Sequence, residues 1–117
     1  MRIRDAHTRM NFIKVATEAE IEALPEGQIL SKRTRRGPVA LTRYDGKIYA
    51  FQDTCTHDDG PLASADGATL DGPCITCPRH GAQFDIRTGE VLMAPATEAI
   101  EVYEVRIVDG QVEVNLD

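Results

Sequence analysis

The chain has 117 residues and a mass of 12.9 kDa, which fits one domain. Its 13 Lys and Arg against 19 Asp and Glu give a formal charge of −6, which argues against nucleic acid as a partner. No apolar run is long enough for a transmembrane helix, and Met1 to Phe12 lacks the apolar stretch of a secretory signal. The expectation is a cytoplasmic chain with no membrane partner. Charge is uneven: residues 1–52 carry a net +4 and residues 53–117 a net −10. The acidic back half suits either a soluble, self-repelling surface or recognition of a basic partner. Three cysteines are present, Cys55, Cys74 and Cys77. Their odd number and spacing do not make a secreted disulfide framework and point to metal or redox chemistry.

In chain order, residues 1–9 read as a flexible polar extension that contains His7. Asn11 to Ala16 reads as a strand. Thr17 to Leu24 reads as a short helix, with Thr17 as N-cap and Glu20 completing a capping box, stopped by Pro25 and Gly27. Gln28 to Thr34 and Pro38 to Arg43 are strands around Arg35–Gly37, and the basic run Ser31–Arg36 reads as a solvated hairpin. Asp45-Gly46 signals a hairpin between Val39–Tyr44 and Lys47–Gln52. Tyr44, Tyr49, Tyr103, Phe51 and Phe84 read as packing residues.

From Asp53 to Pro73 the periodicity fades, and the glycines and prolines there predict mostly loop. Cys74 to Cys77 is a short apolar run, with Cys74 read as a small buried residue. Gly81 to Ile86 alternates, Arg87-Thr88-Gly89 turns the chain into Glu90 to Met93, and Pro95 breaks the pattern. Glu101 to Val108 and Gln111 to Leu116 form a closing hairpin about Asp109-Gly110. Short strands at this spacing predict an all-β sandwich or small barrel. A long loop inside so small a domain points to function.

Two boxes bracket that loop, Cys55-Thr-His57 and Cys77-Pro-Arg-His80. Each joins one thiol to one imidazole. Thiolates hold iron and suit sulfide-bridged clusters, and imidazoles are neutral ligands that can also lose a proton. Two readings compete. A Cys₂His₂ zinc site usually groups its cysteines together and its histidines together on a helix, which this arrangement lacks. A [2Fe–2S] centre in which two histidines replace two cysteines on one iron uses the mixed boxes as they stand.

The chain from Met10 to Asp117 resembles the Rieske-type ferredoxins. The first box is followed by Gly60-Pro61-Leu62. The second continues as Gly81, then Phe84-Asp85 and Thr88-Gly89, and the Pro95 segment matches a third loop that covers the cluster in this family. The resemblance implies one [2Fe–2S] cluster, with Cys55 and Cys77 on the inner iron and His57 and His80 on the outer one. It implies an all-β fold, a Rieske-type antiparallel β-sandwich base of residues 1–52 and 85–117 with a small cluster-binding subdomain near 53–84 and the loop at 92–96. Nineteen residues separate His57 from Cys77, slightly more than the family pattern, and the extra ones are placed near Ser64–Thr69.

High-potential members carry one further Cys in each box, joined as a disulfide. Here those positions are Gly60 and Arg79. Such members also place hydroxyl donors where this chain has Ala82 and Phe84. Hydrogen bonds to sulfur stabilise the reduced cluster and raise its potential, so their loss lowers it. Asp58 and Asp59 are expected to push the same way. The expected potential is at the low end of the Rieske range, on the order of −150 mV.

After the boxes only His7 remains, too few histidines for a mononuclear iron triad, and no nucleotide-binding Gly-rich motif is present. The expectation is therefore a one-electron carrier and not an enzyme. By resemblance its partners are a flavoprotein reductase and a terminal ring-hydroxylating oxygenase, or alternatively the large subunit of an NADH-dependent nitrite reductase. A non-redox zinc module is the third alternative. Leu62, Pro78 and Pro95 are expected to form an apolar collar for docking.

Overall fold

The computed structural model describes residues 11–116, so the extension expected at 1–9, with His7, lies outside them. Every paired strand is antiparallel, and they form three sheets. β1 (Phe12–Thr17), β11 (Gln111–Asn115) and β10 (Val105–Val108) lie in that order. The second sheet has the order β2 (Ile29–Thr34), β3 (Gly37–Tyr44), β4 (Lys47–Gln52), β9 (Val102–Tyr103). The third runs β5 (Thr69–Asp71), β6 (Cys74–Thr76), β7 (Gln83–Asp85), β8 (Val91–Met93).

The second sheet is the middle layer, because successive side chains of a strand point to opposite faces. On β3, Val39 and Leu41 join a core with Ala16, Ile21, Val112, Val114 and Leu116. Ala40, between them, joins the other core with Cys55, Leu62, Ile75, Cys77, Phe84 and Ile86. On β4, Ala50 faces the first core and Phe51 the second. One sheet thus supports the base on one side and the site on the other.

The single helix among the described residues, α1 (Glu18–Glu22), follows β1 directly. Thr17 Oγ1 accepts from the Glu20 N–H at 3.1 Å, and Glu20 Oε1 accepts from the Thr17 N–H at 2.9 Å. This is the reciprocal capping expected from the sequence, and it sets the start of a helix too short to stand alone. The hairpins at Asp45-Gly46 and Asp109-Gly110 have positive φ at both central residues, the primed-turn geometry that matches strand twist.

Two features differ from the expected elements. The segment 53–73, expected to be loop, contains β5, which pairs with β6 across Gly72-Pro73. Three residues are too short to show a period, so the strand was hidden. The expected strand Glu101–Val108 is divided at Glu104. β9 pairs with β4, and β10 pairs with β11. The chain changes sheets there without losing its apolar alternation. No helix of the described residues is long and apolar enough to cross a membrane.

Candidate metal centre

Both boxes sit on turns of one design. In the first loop the Cys55 N–H donates to Gly60 O at 2.8 Å and the Asp59 N–H to Cys55 O at 2.7 Å. In the second the Cys77 N–H donates to Ala82 O at 2.8 Å and the Gly81 N–H to Cys77 O at 2.9 Å. Each cysteine therefore begins a turn closed four and five residues later. Cys55 and Cys77 are fully buried, at 0% exposure, while His57 and His80 are exposed.

The four side chains separate into two pairs. Cys55 and Cys77 are buried in the same core, close enough to act on one another electrostatically. The His57 and His80 rings stand edge to face, with centroids 4.8 Å apart. Burial pushes the Cys55 thiol up, and the neighbouring Cys77 adds to it, while the His57 and Asp58 backbone N–H groups pull it down. A buried sulfur pair and an exposed nitrogen pair match the donor set of a two-iron cluster with unlike ends.

Residues outside the boxes hold the loops in place, and sequence reasoning missed them. Asp53 is fully buried two residues before Cys55. Its Oδ1 accepts from the N–H groups of Leu62, Ala63 and Ser64, and its Oδ2 accepts from Ser31 Oγ at 2.7 Å. One carboxylate thus pins the far side of the first loop to β2. The third loop adds a tie, since Thr56 Oγ1 donates to Glu98 O at 2.6 Å. The Ala94–Pro95 peptide in that loop is cis. Asp53 ends an apolar strand, a place where a buried acceptor has work to do, and that was the one local signal available.

Arg79 grips Asp58 with both ends of its guanidinium, Nε to Oδ2 at 2.6 Å and Nη2 to Oδ1 at 2.8 Å. The pairing holds the Asp58 carboxyl well below the usual range and raises Arg79. This corrects one expectation, because the Asp58 charge is offset locally and cannot oppose electron uptake as a bare carboxylate would. Asp59 is exposed. The collar also needs correction: Leu62 is at 0% exposure and belongs to the core. Pro78 is exposed and Pro95 half-buried. The added residues fold as a turn closed by the Ala68 N–H to Ala65 O, and Gly67 faces Pro78. Ala82 and Phe84 are both fully buried. Cys74, on β6, is half-buried, and burial raises its thiol.

The Rieske [2Fe–2S] domain model matches residues 11–104. The ferredoxin subunit of anthranilate 1,2-dioxygenase from Burkholderia cepacia is 40% identical over 96 residues, covering 82% of this chain and 86% of that one. The ferredoxin component of a naphthalene 1,2-dioxygenase system from Pseudomonas aeruginosa is 39% identical over 93 residues, covering 80% and 86%. Among solved structures, the Sphingomonas yanoikuyae B1 ferredoxin superposes with a TM-score of 0.76 at 29% identity, over 92% of this chain and all of that one. A chain from the complex of reduced oxygenase and oxidized ferredoxin in carbazole 1,9a-dioxygenase gives 0.75 at 34% identity, covering 89% of this chain and 92% of that one.

Proposed function

Since this chain belongs to the Rieske [2Fe–2S] family, we propose that Cys55, Cys77, His57 and His80 hold its cluster and that the protein carries single electrons to a terminal ring-hydroxylating oxygenase. The observation that carries the ligand assignment is the division of the site into a buried thiol pair and an exposed imidazole pair. Cys55 and Cys77 would hold one iron and His57 and His80 the other. When bound, the cluster supplies reversible uptake and release of one electron.

The chain's own residues do the rest. Cys55 and Cys77 hold their end away from water, in the same core as Phe84 and Ile86. His57 and His80 keep their end at the surface, where a partner can approach closely. Asp53 and Thr56 fix the first loop against β2 and the third loop. Leu62 supports that loop from below. Buried Ala82 and Phe84 offer no hydroxyl to sulfur, which supports a potential at the low end of the family range.

Relatives named as dioxygenase ferredoxin components favour the oxygenase over a nitrite reductase large subunit as the acceptor. The electron donor in this reading is a flavoprotein reductase, and the compartment is the cytoplasm, where cysteines stay reduced and Cys55 and Cys77 are free to take iron. The test is reconstitution. The loaded chain, an NADH-fed flavoprotein reductase and a ring-hydroxylating oxygenase are combined, and oxidised product is followed with the chain present or withheld. Product formation that needs the chain, and stops in His57→Ala, supports the carrier role. Product at an equal rate without the chain refutes it for that oxygenase system.

A further inference from the structure

We propose that Asp58 and Arg79 form an ionic clasp that holds the two ligand loops at the spacing the cluster requires, and that Gly60 leaves room for its guanidinium. The inference rests on the ligand assignment above. Asp58 directly follows His57, and Arg79 directly precedes His80. A bond between them joins one box to the other beside the imidazoles. The backbone hydrogen bonds at Cys55 and Cys77 close each loop on itself and do not cross between the loops.

The clasp is built for direction as well as charge. A guanidinium and a carboxylate meet in two parallel hydrogen bonds, the geometry that fixes orientation best. The Gly60 N–H donates to Asp58 Oδ1 at 3.0 Å and fixes the carboxylate from its own loop. A Cβ on residue 60 would stand 2.9 Å from Arg79 Nη2, 3.1 Å from its Cζ and 3.3 Å from Asp58 Oδ1, so the guanidinium tip would have to shift. The backbone at Gly60 is not in the left-handed region, so a methyl group there would crowd the guanidinium and leave the backbone unstrained.

Both clasp side chains are only partly shielded, at 32% and 24% exposure. Their attraction is therefore reachable by salt, unlike a covalent link between the same loops. His80 Nδ1 lies 3.7 Å from Asp58 Oδ2, beyond hydrogen-bond length. The clasp acts on the histidines by holding their loops, and Asp58 and Arg79 are positioning residues.

The experiment uses the full chain, reconstituted anaerobically with iron and sulfide. Metal and sulfide content are measured first. Loss of visible absorbance is then followed in excess chelator, at several salt concentrations, with electron paramagnetic resonance of the reduced form. Asp58→Asn and Arg79→Gln should each speed cluster loss by about fivefold, the upper range for a partly exposed ion pair. The double variant should be no faster than either single one, since both remove the same interaction. Gly60→Ala keeps both charges and should speed cluster loss by less than the singles, since the guanidinium tip can shift. The wild type should approach the variants as salt rises, and the resonance of the variants should shift because the imidazole loops relax. Wild-type rates and spectra in all variants would overturn the clasp, and so would additive effects in the double variant. A wild-type chain that takes up no iron and sulfide overturns the ligand assignment instead.

Discussion

Asp59 and Gly81 occupy the same position in the two ligand loops. Each donates its N–H to the carbonyl of the cysteine four residues earlier, at 2.7 Å from Asp59 and 2.9 Å from Gly81. Each has a left-handed backbone, with φ of 61° and 81°. Gly81 adopts this freely, and aspartate is among the side chains that tolerate it. Gly81→Ala has open space for its methyl group, so its cost is the backbone alone. It should destabilise the protein by about 1–2 kcal/mol. Asp59→Gly should change stability by less than about 0.5 kcal/mol, because relief of the turn is offset by a freer unfolded chain. Denaturant titration of the two variants checks both.

Asp53 separates packing from hydrogen bonding. Asp53→Ala leaves the N–H groups of Leu62, Ala63 and Ser64 without their acceptor. A loss of about 2–3 kcal/mol is expected, since a stranded buried donor costs about 1–3 kcal/mol and the Leu62 bond is fully buried while the Ala63 and Ser64 bonds are partly so. Asp53→Asn keeps an oxygen for those donors, and its amide can donate to Ser31 Oγ. It should recover most of the loss. Equal losses in the two variants would contradict the capping role.

Acid sensitivity should show the Asp85–Arg87 pair. Arg87 bonds both oxygens of Asp85, and this pairing lowers the Asp85 pKa. A lowered carboxyl stabilises the fold above its unfolded value, about 3.9, and the gain disappears as pH falls through the folded value. Stability should therefore fall below about pH 5. Arg87→Met should make that fall shallower. An unchanged slope in this variant, by denaturation at several pH values, would contradict the assignment.

Ala82 and Phe84 should set the potential. Both are fully buried, and neither offers a donor. Ala82→Ser and Phe84→Tyr should raise the reduction potential if their hydroxyls donate to sulfur, since such bonds stabilise the reduced form. Voltammetry of the variants against the wild type gives the sign. A potential that does not rise in either would detach these positions from the tuning of the cluster.

Much of the fold was legible because its signals are local. The capping box at Thr17 and Glu20 and the turns at Asp45-Gly46 and Asp109-Gly110 are short-range chemistry, and the structure forms all three. The boxes were legible as residue types at a spacing, and the structure buries Cys55 and Cys77 in one core and sets the His57 and His80 rings edge to face. What escaped depends on distant partners. β5 exists because β6 offers it an edge. The division at Glu104 reflects two separate pairing partners, β4 and β11. Asp53 looks like an ordinary loop aspartate until residues 62–64 fold back over it. Asp58 looks like a bare charge until Arg79 arrives from a loop 21 positions away.

Anaerobic protein-film voltammetry of the reconstituted chain tests the central claim most directly. A reversible one-electron wave at the low end of the Rieske range, on the order of −150 mV, is the predicted result. A high-potential wave would contradict the roles given to Ala82 and Phe84. No wave, from protein that holds zinc in place of iron, would contradict the electron-carrier function itself.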